Sequence, residues 1–291
     1  MSSQPSESHG RVSPLMGLPT RFDALTCPAS LNEGRLMIFS ANLGFLWTDR
    51  PFLERLVAAR SAGFTMVEFH DQAQQVGPEA VRDALGDLKV VGLNARMGET
   101  SGVAAMPGRE AEARADIAEA IAAARTVGAG AIHVVSGLAD DPDRHSRLAE
   151  RLAEASAEAP ELTFLVEPLC RQARPGYAVA SVEEAAEVIR LAGVPNVKIM
   201  FDCYHVQRQS GDVLARFREH FDDIGHVQIA GGLTRQEPDR GELNYAFLLP
   251  AFVEAGYTGP IGCEYTPATT VEAGLSWRDA FTAPAGPPAS L

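Results

Sequence analysis

The chain has 291 residues, is 46% hydrophobic and carries a net charge of -13, which is enough for one barrel domain of about 250 residues and too apolar for global disorder. So acidic a chain is a poor partner for nucleic-acid backbones or anionic lipid surfaces, which attract Lys- and Arg-rich faces. No apolar run approaches the roughly 20 residues that span a bilayer, the N-terminal stretch has no compact apolar core and reads unlike a secretory signal, and Cys27, Cys170, Cys203 and Cys263 form no C-x-x-C pair, so a reducing, cytoplasmic setting is expected.

Residues 1–36 are rich in Ser, Pro and Gly and read as a loose N-terminal extension, with Met37 an alternative start. The first apolar run, M-I-F-S-A-N (37–42), fits a buried strand. Thr48 or Asp49 is placed to cap the following helix, Pro51 suits its first turn, and Phe52, Leu53, Leu56 and Val57 fall at helical spacing up to Gly63. F-T-M-V-E-F (64–69) is the second strand, before a helix from near Pro78. K-V-V-G-L-N-A (89–95) precedes an Ala-rich helix from about Pro107 to Val127, and A-I-H-V-V-S (131–136) precedes one from about Pro142. T-F-L-V-E-P (163–168) leads to a helix opened by Ser181, with Glu184 completing a capping box. V-K-I-M-F-D (197–202) precedes a helix from about Asp212, and I-G-H-V-Q-I-A (224–230) one near Tyr245. P-I-G-C-E-Y (260–265) leads to a short closing helix containing Trp277, and residues 281–291 read as a flexible tail. Eight alternating strand–helix units predict an α/β fold closed as a (β/α)8 TIM barrel over 37–280. A doubly wound open sheet is the alternative, but N-L-G-F-L-W after the first strand is a poor match to a Gly-rich phosphate loop.

Barrel chemistry sits at the C-terminal ends of the strands. Four neighbouring strands end in Glu167, Asp202, Gln228 and Glu264. Alternation turns Val166, Phe201 and Cys263 outward if these four point inward. Three carboxylates on one point repel unless a cation lies between them, and an all-oxygen set suits Mg²⁺ or Mn²⁺. Each acid has an ordinary alternative as a strand end satisfied by backbone N–H groups. His205, three residues past Asp202, either binds a substrate oxygen or is a solvated, locally bonded loop histidine, and Arg235 either clamps a substrate carboxylate or is a solvated loop arginine. Asn42 and Asn94 end the first and third strands and either bind substrate or hold a loop. His133 and His226 read as satisfied core histidines, and Glu68 as an interior structural partner.

The strings F-S-A-N-L, A-G-F-x-x-V-E-F, M-P-G-R-E, F-D-C-Y-H-V-Q-R, G-H-V-Q-I-A, G-E-L-N-Y and I-G-C-E-Y run from Met37 to about Arg278. In them the chain resembles the hydroxypyruvate isomerase family of xylose isomerase-like barrels, which includes 2-oxo-tetronate isomerases. The resemblance implies that Glu167, Asp202, Gln228 and Glu264 hold a divalent metal and that Glu167 and Glu264 are the catalytic acid/base pair. It implies an isomerase acting on a small 2-keto acid or sugar acid. The expected reaction takes hydroxypyruvate to tartronate semialdehyde through a metal-stabilised enediolate, with 2-oxo-tetronate isomerisation or sugar epimerisation as alternatives. Neither nucleic acid nor membrane is an expected partner, and a homo-oligomer stays open. Q-I-A-G around Gly231 leans toward the tetronate group, because the other group often carries an acid there. Three departures surround the pocket: Thr266 where the family usually has Lys, a short loop after the third strand, and H-D-Q-A-Q-Q where relatives carry an aromatic F-P-Y.

Overall fold

A computed structural model describes residues 37–282. The proposed N-terminal extension, Cys27 and the tail beyond 282 lie outside the described residues. Eight strands form the sheet: β1 (Phe39–Asn42), β2 (Met66–Phe69), β3 (Lys89–Asn94), β4 (Ala131–His133), β5 (Thr163–Val166), β6 (Val197–Asp202), β7 (Ile224–Ile229) and β8 (Ile261–Cys263). Each pairs in parallel with its sequence neighbours, and β8 returns to β1, so the sheet is a closed barrel. The helices in order are α1 (Phe52–Ser61), α2 (Gln72–Val76), α3 (Pro78–Leu85), α4 (Glu110–Val127), α5 (Arg144–Glu158), α6 (Val182–Ala192), α7 (Cys203–Gln209), α8 (Val213–Glu219), α9 (Tyr245–Glu254), α10 (Val271–Gly274) and α11 (Asp279–Thr282).

The period-2 pattern of the strands separates two apolar layers. Ala131, Leu165 and Met200 meet inside the barrel. Val166, Phe201 and Cys263 belong to the larger core between strands and helices. There Phe201 packs edge-on against Phe217 and Phe252, and these two stack with centroids 3.9 Å apart. Because Leu165 and Met200 face inward, the residues two further on, Glu167 and Asp202, do so as well.

Several local expectations need adjustment. Helix α1 starts behind Pro51 with no side-chain cap, so neither Thr48 nor Asp49 caps it. Proline has fixed the entry, and its missing N–H costs nothing at that position. At α6 the Ser181 hydroxyl accepts from the Glu184 N–H, while the Glu184 carboxylate accepts from the Ala180 N–H rather than from Ser181. Helix α7 follows β6 without a loop and was not expected. The Asp202 side chain caps it, accepting from the Tyr204 N–H at 2.8 Å. Residues 281 and 282, expected in the tail, close α11.

Candidate active site

The α7 cap positions two of the candidate site residues. It holds the Asp202 carboxylate at the barrel mouth and places His205 on the first helical turn beside it. His205 Nε2 lies 3.6 Å from Asp202 Oδ2 and 3.8 Å from Glu167 Oε1. Glu167, Asp202 and His205 each bring one donor atom within 4.8 Å of the others, and all three are buried. Glu264 joins from the other side through Arg235, whose Nη2 is 3.0 Å from Asp202 Oδ2 and 3.3 Å from Glu264 Oε2. Gln228 stands beside Asp202 in the β6–β7 register and beside Gly262 in the β7–β8 register, between the strands that carry the two acids.

Burial, then the neighbouring Glu264 and Asp202 carboxylates, hold the Glu167 carboxyl well above the usual carboxylate range. Burial also pushes Asp202 up to about 7, against the opposing pull of Arg235. Three acids here are short of positive charge. Glu167 Oε1, Gln228 Oε1 and Glu264 Oε2 are buried without a hydrogen-bond partner among the described residues, although Glu264 Oε2 keeps its 3.3 Å ion pair with Arg235. Buried oxygens that lack hydrogen bonds are costly, and oxygens of this kind are what a hard divalent cation takes as ligands. The residues present therefore fit a cation site.

His205 has a fixed polarity. Its Nδ1 accepts from the Cys170 backbone N–H at 3.1 Å, with the Cys170 Sγ at 3.3 Å. A backbone N–H can only donate, so the ring proton belongs on Nε2. Burial, then the charge of Arg235, lowers the His205 pKa well below its usual value, which keeps the ring neutral. The atom nearest the acids is thus an N–H donor, suited to a substrate oxygen and not to a cation.

Arg235 is held from all sides. Its guanidinium lies over the rings of Phe45 (4.6 Å) and Tyr204 (5.0 Å). Its backbone has a left-handed φ of 54°, a conformation that costs a non-glycine residue about 1–3 kcal/mol and persists only where surroundings impose it. The Arg235 N–H donates to the Gly231 carbonyl, and the Arg235 carbonyl accepts from the Thr266 N–H at 2.8 Å. Thr266 therefore contributes its backbone to the site.

Other expected residues fall into different roles. Both ends of Asn42 are occupied within the protein: Oδ1 accepts from the Gly44 N–H and Nδ2 donates to Glu68. That is the loop-holding alternative. Asn94 Nδ2 reaches the Met97 sulfur at 3.2 Å. His226 is a satisfied core histidine, its Nε2 2.8 Å from Glu68 Oε2. His133 is not. Among the described residues neither ring nitrogen has a hydrogen-bond partner, Nδ1 is 3.4 Å from Glu167 Oε2, and burial lowers its pKa to about 3. The sequence reading missed its position against Glu167, although the inward alternation of β4 points there. It also passed over His70, whose Nε2 is 3.7 Å from Glu264 Oε1.

Residues 56–281 match the family model described as Xylose isomerase-like TIM barrel. The chain is 39% identical over 251 residues to a 2-oxo-tetronate isomerase of Cupriavidus necator, covering 82% of this chain and 96% of that protein. It is 34% identical over 258 residues to the hydroxypyruvate isomerase of Escherichia coli, covering 84% of this chain and all of that protein (100%). A solved structure described as an AP endonuclease, family 2, from Brucella melitensis superposes with a TM-score of 0.82 at 33% identity, over 85% of this chain and 100% of that one. Among the described residues no helix is long and apolar enough to cross a membrane.

Proposed function

We propose, from the premise that the chain belongs to the hydroxypyruvate isomerase family of xylose isomerase-like TIM barrels and is an isomerase, that it moves a carbonyl between C2 and C3 of a short 2-oxo sugar acid. The observation that supports this reading is the set of buried oxygens on Glu167, Gln228 and Glu264 that have no hydrogen-bond partner among the described residues, on strands that neighbour one another and Asp202 around the barrel. Glu167, Asp202, Gln228 and Glu264 would hold a divalent cation, Mg²⁺ or Mn²⁺. When bound, it supplies stabilisation of the negative charge that develops on the substrate oxygens.

The chain's own residues do the rest. In the forward direction the proton on C3 leaves to one glutamate, and the other glutamate gives a proton to C2. The hydroxyl proton on O3 ends on O2, so atoms and electrons balance and no redox cofactor enters. Glu167 and Glu264 lie at the ends of β5 and β8, with two strands between them, and can serve adjacent carbons from two sides. The neutral His205 offers its Nε2–H to a substrate oxygen, and Arg235 offers a guanidinium to the carboxylate. Phe45 and Tyr204 cover that guanidinium and help exclude water.

Between the two substrate groups of the family, Gly231 favours 2-oxo-tetronates over hydroxypyruvate. A Cβ there would lie 2.3 Å from the Arg240 carbonyl oxygen and 2.7 Å from that of Glu237. The loop closes on itself too tightly for the acid that hydroxypyruvate isomerases often carry at this position. The test is a panel of hydroxypyruvate, 2-oxo-tetronates and ketohexoses, assayed with and without Mn²⁺ or Mg²⁺. Cation-dependent conversion with the highest kcat/KM on a 2-oxo-tetronate is expected. Inversion of a ketohexose carbon in place of carbonyl transfer would make the protein an epimerase instead.

A further inference from the structure

The interior of the barrel below the acids contains a second polar cluster that the proposed chemistry does not use. Glu68 on β2 is buried, and its carboxylate collects four contacts. Oε2 accepts from the Ser40 hydroxyl at 2.7 Å and meets His226 Nε2 at 2.8 Å. Oε1 accepts from Gln228 Nε2 at 2.7 Å and from Asn42 Nδ2 at 3.3 Å. The bond to Gln228 crosses the barrel from β2 to β7. Room for it comes from Gly262 on β8, where a Cβ would lie 2.5 Å from Glu68 Oε1 and 2.8 Å from Gln228 Cγ.

We propose that Glu68 is a positioning residue, whose carboxylate takes the amide nitrogen of Gln228 and so turns the Gln228 carbonyl oxygen toward the cation site. The proposal rests on the reading of Gln228 as a cation ligand. A primary amide has two ends of similar shape and opposite polarity. Only the oxygen end can bind a cation, and an inverted amide would aim two N–H groups at it. Nothing in the Gln228 side chain itself selects one orientation. The acceptor at Glu68 does: Nε2 is bonded to Glu68, which leaves Oε1, buried and without a hydrogen-bond partner among the described residues, as the free end. Ser40, Asn42 and His226 in turn fix the carboxylate, so that it cannot rotate away. Glu68 touches no reacting atom and acts through Gln228.

The test reads Mn²⁺ affinity of the full chain by calorimetry, independently of turnover, with thermal unfolding as a check on folding. Outer partners of metal ligands are typically worth about 10–100-fold in affinity, and a loss of about that size is expected for Glu68→Gln. Gln228→Ala should weaken binding too. In Glu68→Gln/Gln228→Glu the polar pair is kept with its roles exchanged, since the amide now donates to a carboxylate whose other oxygen faces the cation, and binding should return. Gly262→Ala, which changes no charge and no ligand, should weaken Mn²⁺ by pushing the Glu68–Gln228 contact apart, and keeps the test open if Glu68→Gln alone does not fold. Undiminished affinity in folded Glu68→Gln or Gly262→Ala, with Gln228→Ala weakened, overturns the positioning role and leaves Gln228 a ligand. A folded Glu68→Gln that loses Mn²⁺ without recovery in the double variant also overturns it, because a merely structural residue behaves that way. Unchanged affinity in Gln228→Ala removes Gln228 from the ligand set, and the proposal with it.

Discussion

Nη2 of Arg235 stands 3.0 Å from Oδ2 of Asp202, so a cationic group of the chain already lies against a carboxylate of the proposed cation site. Two positive charges near one carboxylate repel by up to about 4 kcal/mol at 4 Å in a partly solvated site. Arg235→Ala is therefore expected to tighten Mn²⁺ binding in the absence of substrate. It should also raise KM, since a hydrogen bond to a charged group is worth about 1.5–3 kcal/mol, and kcat should fall less than KM rises. Steady-state kinetics with parallel calorimetry checks both. An unchanged KM would move the carboxylate anchor elsewhere, with Asn94 next to be tried.

His205 separates two roles that share one place. A ring nitrogen that donates to substrate and one that binds a cation would both lie near Asp202 and Glu167, but the Cys170 N–H on Nδ1 selects the donor. His205→Asn should leave the Mn²⁺ dissociation constant close to that of the wild type and reduce kcat/KM by roughly 10–100-fold, the worth of a hydrogen bond to a charging oxygen. A large loss of Mn²⁺ affinity would make His205 a ligand.

The acids predict an inverse pH dependence for the cation-free protein. Asp202 has its folded pKa raised from 3.8 to about 7, and Glu167 is raised well above 4.5. Between the unfolded and folded values the native state binds more protons than the unfolded state, so stability falls as pH rises. The contribution is complete below about pH 4 and is lost through about pH 7 for Asp202, with Glu167 extending the decline. Tm measured under chelation should drop across this window. The rise in Tm on adding Mn²⁺ should grow over the same window, because the ligands must be deprotonated to bind. A chelated protein that gains stability from this region would show that the acids are ionised and satisfied without a cation.

Strand alternation made much of the candidate site's grouping legible. Met200 and Phe201 alternate as expected between lumen and helix layer, and Glu167 and Glu264, one residue beyond β5 and β8, come together with Asp202 around His205 and Arg235. Residue spacing carries that information because a strand has only two faces. Amide polarity was not legible, because the partner that turns Gln228 lies 160 residues earlier in the chain. The tautomer of His205 is set by a backbone N–H 35 residues away, which no local pattern reveals. Helix α7 was hidden because C-Y-H-V-Q-R follows the strand directly and its cap, Asp202, already had a role as a strand end. His133 lies on the same inward face as the core, so spacing does not distinguish it from a satisfied core histidine; its ring nitrogens, without hydrogen-bond partners among the described residues and with Nδ1 3.4 Å from Glu167 Oε2, do.

The turnover of the two glutamine variants, measured with Mn²⁺ bound, bears most directly on the proposed chemistry. Glu167→Gln and Glu264→Gln each keep one oxygen able to face the cation and remove the proton carrier. Acid–base catalysis contributes about 10²–10⁴-fold, so each variant should lose at least that factor in kcat, and the double variant should lose little more because the pair acts as one unit. In D₂O the wild type should place deuterium on C2 of the product, the carbon that gains the proton, provided the carrier exchanges with solvent. Near wild-type turnover by either single variant, with its Mn²⁺ content verified, would contradict proton transfer between Glu167 and Glu264.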